Sequence, residues 1–160
     1  MSDAKFKTMR HIETVRNYIN GVIKIFIDRA ESHDQTKLQE PEAEIFEIYT
    51  PKLRQTTYGS EEYQQYLREM NVGLDHHYKH NRHHPEYHKN GFDDMNLIDL
   101  IEMLIDWKAA SLRHEDGNIY ESIKLNQERF GYSDDMRWLL ERTMSYIERS
   151  VLVNHVASES

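Results

Sequence analysis

Near the start of the chain, apolar residues recur at steps of three and four. Between Thr8 and about His33 they are Ile12, Val15, Ile19, Val22, Ile23, Phe26, Ile27 and Ala30. This spacing places them on one face of an α-helix, so it predicts a helix over this segment. The dipeptide Asn20-Gly21 is the one candidate break, because asparagine followed by glycine is typical of turns.

The same helical spacing returns later in the chain, at 40–56, 60–78, 97–113, 119–125 and 133–150. The segment 97–113 is the most apolar of these, and we expect it to lie at the centre of the fold. No segment alternates with the period of two that a half-buried strand would show. The pattern therefore predicts an all-α protein, a compact bundle of five to six helices.

Capping residues and prolines set the expected helix ends. We expect N-caps at Ser60 and at Asp94 or Asn96, because these side chains accept hydrogen bonds from free backbone N–H groups. Proline disrupts a helix interior, so Pro51 should kink or end its helix and Pro85 should stop the one before it.

The domain organisation follows from the absence of any Pro- or Gly-rich linker or internal repeat. The simplest interpretation is a single domain over residues 1–160. We expect residues 151–160 to form a frayed tail, as chain ends often do.

Composition and charge exclude several classes of function. Lys and Arg number 20 against 28 Asp and Glu, so the net charge is −8, and this acidic balance disfavours general binding to nucleic acid. The chain lacks an apolar segment long enough to span a membrane, and its start lacks the features of a signal peptide. We therefore expect a cytoplasmic protein. Because there is no Cys, the strong metal ligands available are His and carboxylate.

The first candidate cluster is the run His33-Asp34, followed by Lys37. An imidazole and a neighbouring carboxylate can reach one metal ion where a helix ends, and a carboxylate has two oxygens with which to bridge a second ion. The alternative is a solvated helix C-terminus, where His and Lys suit the negative end of the dipole.

The second cluster holds six His in thirteen residues, at positions 76, 77, 80, 83, 84 and 88. Residues four apart on a helix lie one turn apart and can share a metal. The spacing alone also fits a polar helix end whose histidines lie in water. The motif resemblance described below is what favours metal binding by at least one of His77, His83 and His84. The spacing does not decide which member of each adjacent pair is the ligand.

The third cluster is acidic and lies on the most apolar helix. Glu102 and Asp106 are one turn apart, and Asp99 lies a further turn back. A carboxylate that faces a core is costly unless it is paired or bound to metal. The spacing equally allows all three to line the exposed face, and periodicity does not separate the two cases.

Three motifs in this order carry a family resemblance. The run His33 to Lys37, HDQTK, resembles the HDxxK pattern of the HD-domain superfamily of metal-dependent phosphohydrolases, which are all-α proteins. The chain is also similar to an uncharacterised phage and bacterial family with HD-x-S-K, N-x-H-H and E-M-x-x-D-W-x-x-A motifs. Here these motifs read HDQTK, NRHH at 81–84 and EMLIDWKAA at 102–110.

The resemblance implies a metal site and a ligand set. One or two divalent ions, of Mn, Fe, Co, Ni, Zn or Mg, would be held by His11, His33, Asp34, His77 or His84, and Asp106. One geometric condition applies to His11. It precedes His33 by 22 residues, so on one unbroken helix the two would stand about 33 Å apart. Including His11 therefore requires a turn at Asn20-Gly21.

The resulting functional hypothesis is hydrolysis of a nucleotide or another small phosphorylated molecule by a metal-activated water. Lys37 and Arg82 are the expected phosphate clamps, while Glu102 or Glu86 would orient the water or a ligating imidazole. Alternatives are an HD-type di-iron oxygenase, a helical pyrophosphohydrolase that binds magnesium through acidic pairs, and a small phage-type interaction protein without catalysis. Self-association into a homo-oligomer is compatible with each of them.

Overall fold

The computed structural model describes residues 2–57, 60–113 and 117–158, with side chains as far as residue 150. These residues form helices and no strands, which confirms the all-α prediction. The expected fraying at 151–160 lies outside the described side chains. The described α-helices are α1 (Asp3–Ser32), α2 (Glu42–Gln55), α3 (Glu61–Glu69), α4 (Asn71–His80), α5 (Leu97–Ser111), α6 (Ile119–Phe130) and α7 (Asp134–Ser158). Short 3-10 turns at Gln35–Leu38, Pro85–Tyr87 and Gly91–Asp94 join some of them.

The chain divides into two compact units, Met1–Gln35 and Thr36–Ser160. The first unit consists of α1 and the residues that end it. The second holds the other six described α-helices. In neither unit does a described helix have the length and apolar character needed to cross a membrane.

Helix α1 runs without interruption from Asp3 to Ser32, as the apolar spacing predicted, so the candidate break at Asn20-Gly21 is not a turn. A glycine inside a helix costs only about 1 kcal/mol relative to alanine, and the helical spacing continues on both sides of it. His11 consequently stands about 33 Å along the axis from His33, which caps the helix end. The two do not share a metal, and His11 leaves the candidate site.

Two helix boundaries in the second unit differ from expectation. Helix α2 passes through Pro51 to Gln55, so this proline does not end it. The segment expected as one helix over 60–78 is divided at the buried Met70 into α3 and α4. The start of α3 is as predicted, because the Ser60 side chain accepts a hydrogen bond from the backbone N–H of Tyr63 at 3.1 Å.

Helix α5 lies at the centre of the second unit, as its apolar sequence predicts. It begins at a capping box in which the Asn96 side chain accepts from the N–H of Asp99 and the Asp99 carboxylate accepts from the N–H of Asn96. Its buried face packs with α6, α7 and the turn at Gly91–Asp94. The core residues are Phe92, Leu100, Met103, Leu104, Ile119, Ile123, Tyr132, Leu140 and Met144.

The close approach of α2 and α4 depends on Gly73. A Cβ atom at this position would meet the Cγ2 atom of Ile45 on α2 at 3.0 Å, which is tighter than ordinary van der Waals contact. The missing side chain lets the two helices pack closely. This packing brings the start of α2, which carries Glu42, against the end of α4, which carries His77.

Candidate metal centre

Three histidines converge in the second unit, where α4 ends and the following loop begins. His77 lies in the last turn of α4, and His83 and His84 follow in the loop before Pro85. Each offers one ring nitrogen, and these three nitrogens lie within 4.8 Å of one another. His77 and His83 are buried and His84 is half-buried. The sequence left open which of the adjacent histidines would take part, and the structure brings these three close together.

The buried Glu42 carboxylate fixes the orientation of the His77 ring. Oε2 of Glu42 lies 2.9 Å from Nδ1 of His77. A carboxylate accepts hydrogen bonds, so this contact assigns the ring proton to Nδ1 and leaves the lone pair on Nε2. That Nε2 lies 2.9 Å from Nε2 of His84. This arrangement, in which a carboxylate holds the outer nitrogen of an imidazole, is typical of metal-binding histidines.

Glu42 contacts the histidine cluster, and the sequence did not reveal it as a candidate. Its side chain is fully buried, and it also receives hydrogen bonds from His76 Nδ1 at 2.7 Å and from the Thr36 hydroxyl at 3.0 Å. A glutamate in the first turn of a helix is ordinary, because it suits the positive end of the dipole. Nothing in the local sequence therefore distinguishes Glu42 from the exposed Glu44 beside it.

The Glu102 carboxylate contacts the outer ring nitrogen of His83, as Glu42 does for His77. Oε1 of Glu102 lies 3.1 Å from Nδ1 of His83, and both side chains are largely buried. The sequence hypothesis had assigned Glu102 to orient either the water or an imidazole, and the contact is with an imidazole. One turn further along α5, a carboxylate oxygen of Asp106 and a ring nitrogen of His83 lie within 4.8 Å of each other.

The donor set and its geometry fit a metal ion. Two imidazole nitrogens bound to one metal at about 2.0–2.1 Å stand about 2.9–3.4 Å apart, depending on the angle between them. The Nε2 atoms of His77 and His84 are 2.9 Å apart. A proton shared between the His77 and His84 rings would also explain the 2.9 Å distance. It would not explain why a ring nitrogen of His83 lies within 4.8 Å of both. Imidazole and carboxylate ligands together suit Zn, Fe, Mn, Co and Ni.

Arg82, the expected phosphate clamp, forms an ion pair with Asp99. Its Nε and Nη2 atoms donate to the two carboxylate oxygens of Asp99 at 2.7 and 2.9 Å. These hydrogen bonds raise the pKa of Arg82 above its ordinary value. Asp99 is itself fully buried at the start of α5. The pair therefore ties the loop that carries His83 and His84 to the helix that carries Glu102.

Replacing Asp99 with alanine is expected to lower the free energy of unfolding by about 2–4 kcal/mol, because the change removes both a helix cap and a bidentate ion pair. Urea denaturation followed by circular dichroism measures this difference. The matched control is Asp93→Ala, an exposed position shortly before the same helix. Equal stability of the two variants would contradict the structural role of Asp99.

Two further side chains border the three histidines. The Lys37 ammonium lies 5.2 Å from the ring centroid of Phe46, and that ring packs edge-on against His77 at 5.8 Å. The Tyr78 ring packs against His84 with centroids 4.9 Å apart. Burial raises the pKa of Tyr78 above its ordinary value. The sequence also offered Glu86 as a residue to orient the water or an imidazole. Its carboxylate lies 2.6 Å from Arg129 in an ion pair.

The His33-Asp34 pair belongs to the first unit and follows the end of α1. The Nε2 atom of His33 lies 3.6 Å from Oδ2 of Asp34. Asp34 has a φ of +56°, a left-handed conformation that few residues other than glycine adopt, although Asp tolerates it better than most. Backbone conformations of this kind are enriched at functional sites. That His33 and Asp34 bind a metal remains a prediction from the sequence.

The helices and the converging imidazoles define an all-α protein with a histidine-centred candidate metal site. A protein-family model described as a family of unknown function (DUF5662) matches residues 1–152. The chain belongs to this family. No curated protein and no solved structure gives a significant match.

Proposed function

We propose that the protein is a metal-dependent phosphohydrolase that acts on a nucleotide or another small phosphoester. The observation that carries the proposal is the convergence of three imidazole nitrogens, from His77, His83 and His84, within 4.8 Å of one another. Two carboxylates that hold the outer nitrogens of His77 and His83 support it further. The choice of phosphate chemistry rests on the resemblance of the three sequence motifs to HD-domain phosphohydrolases.

The proposed ligand set joins these imidazoles to the carboxylates that the motifs supply. Asp106 follows Glu102 by one helical turn and has an oxygen close to His83. His33 and Asp34 are proposed on the HDQTK motif, and the left-handed backbone at Asp34 supports a functional role. His11 is not included, because α1 is continuous.

A bound divalent ion would lower the pKa of a coordinated water towards neutrality and polarise a phosphoryl oxygen. The chain's own residues have separate tasks. Glu42 and Glu102 hold the His77 and His83 rings in the tautomer that directs Nε2 inward. Lys37, beside Phe46 near the site, supplies the positive charge for a phosphate oxygen. The Tyr78 hydroxyl is available as a hydrogen-bond donor.

Metal content, measured by mass spectrometry on protein purified without a histidine tag, tests the ligand set. About one or two equivalents of a divalent metal are expected in the wild type. Asp34→Ala and Asp106→Ala should each reduce the retained metal at least tenfold while the helical circular dichroism spectrum is preserved. The matched control is Asp135→Ala, an exposed aspartate on α7, which should retain the wild-type amount.

Turnover assays on the loaded protein test the reaction class. Release of phosphate or pyrophosphate from nucleotides, lost in Asp34→Ala, would support the proposal. Iron as the retained metal together with oxygen consumption would instead favour the di-iron oxygenase. If the wild type binds no metal even after incubation with each candidate ion, the proposal fails and a non-catalytic interaction protein becomes the better hypothesis.

A further inference from the structure

Helix α1 has thirty residues, and none of those residues is buried. Many of its large apolar side chains are about half exposed. The exposed fraction lies between 41% and 57% for Phe6, Met9, Ile12, Val15, Ile19, Val22, Ile23 and Ile27. Monomeric proteins rarely expose a continuous apolar surface of this kind, and such surfaces mark sites of association.

The centre of this surface follows the spacing of a two-stranded coiled coil. Ile12, Val15, Ile19, Val22 and Phe26 alternate steps of three and four residues, which gives an average period of 3.5. We call these five residues the α1 stripe. An average period of 3.5 keeps one seam facing a second helix over several turns. Four of the five residues are isoleucine or valine, and an apolar seam of this spacing is typical of helices that pair with another helix.

The length of the apolar face is sufficient for a specific dimer. From Phe6 to Ala30 it extends about 36 Å along the helix axis. Pairing two such helices would remove on the order of 1,000 Å² from water, which reaches the lower limit for a biological interface. Most of the stability of a helix in a protein comes from packing of its apolar face, so pairing along this face would stabilise α1.

The charge distribution also favours α1 as the interface between two copies of the chain. Helix α1 carries six basic and four acidic side chains, although the whole chain has a net charge of −8. The remainder of the chain is therefore strongly acidic, and two copies repel each other there. The α1 helices are close to neutral and can approach.

We propose that α1 is a dimerisation helix, and that it pairs with α1 of a second copy of this chain along the α1 stripe. The proposal does not depend on the proposed enzymatic function. Dimer formation requires no metal, and the three converging histidines lie in the other unit of the chain.

Sedimentation velocity of the full-length chain over a range of concentrations tests the proposal. The wild type should sediment as a dimer of twice the 19.2 kDa chain mass. Substituting both Ile19 and Val22 with alanine keeps the helix propensity high and should raise the dimer dissociation constant at least tenfold. The control combines Asn17→Ala and Lys24→Ala on the opposite face of α1 and should leave that constant unchanged.

Two outcomes would overturn the proposal. A wild type that remains monomeric at about 100 μM, where even weak specific dimers form, would exclude α1 pairing. If that monomer loses thermal stability in the double alanine variant, the stripe serves the chain's own folding instead. A dimer that both double variants preserve equally would place the interface elsewhere. Circular dichroism of each variant confirms that a loss of dimer is not a loss of helix.

Discussion

Substituting His77 with alanine is expected to weaken the binding of a divalent metal by about two orders of magnitude or more, because it removes a direct ligand rather than a supporting group. His77 is the most buried ring of the three and is the one whose Nε2 lies 2.9 Å from that of His84. The two remaining imidazoles would then hold the ion with one donor fewer.

The neighbouring histidine supplies a matched control for this experiment. His76 precedes His77 on the same helix and also contacts Glu42, but its ring stacks on His80 rather than joining the three converging imidazoles. His76→Ala should therefore weaken metal binding much less than His77→Ala. Competition with a chromophoric chelator at neutral pH measures both. Equal losses in the two variants would show that His77 is not a ligand.

Glu42→Gln is expected to weaken metal binding by about 10- to 100-fold, the range found when a group that orients a ligand is lost. The Glu42 carboxylate accepts hydrogen bonds from His76, His77 and Thr36 with two oxygens. An amide retains one acceptor oxygen and introduces a donor, so one of the two imidazoles faces another donor. The His77 ring then loses the constraint that fixes its tautomer.

The control for this variant is Glu44→Gln, which makes the same chemical change at an exposed position of the same helix. It should bind metal as the wild type does. Nitrogen-15 NMR of the histidine rings gives a separate readout, because the protonation of Nδ1 on His77 should change in Glu42→Gln and persist in Glu44→Gln. If Glu42→Gln leaves both the metal affinity and the His77 tautomer unchanged, Glu42 does not position the His77 ring.

The substitutions described above test the proposed metal site and the proposed dimer separately. His77→Ala and Glu42→Gln act on the second unit and should leave the sedimentation of the chain unchanged. The double alanine variant of the α1 stripe should retain its metal. A loss of metal together with a loss of dimer in one variant would indicate that the chain has unfolded, and circular dichroism detects that case.

Much of the fold follows from local sequence. The periodicity of apolar residues predicted an all-α chain and the central position of α5, and the Ser60 and Asn96 caps were correctly placed. Capping and periodicity act over a few residues, so the sequence expresses them directly. The errors arose where local signals are weak, at Gly21 inside α1 and at the buried Met70 between α3 and α4.

The candidate site could be predicted from the sequence only in part. The sequence by itself supplied the residue types: a cluster of histidines, two acids one turn apart on an apolar helix, and no cysteine to compete with them. Only the tertiary structure decided the partners. It placed Glu42 against His77 across 35 positions of the chain and Arg82 against Asp99. The physical reason is that the packing of distant helices, such as the close approach at Gly73, determines which polar groups are buried together.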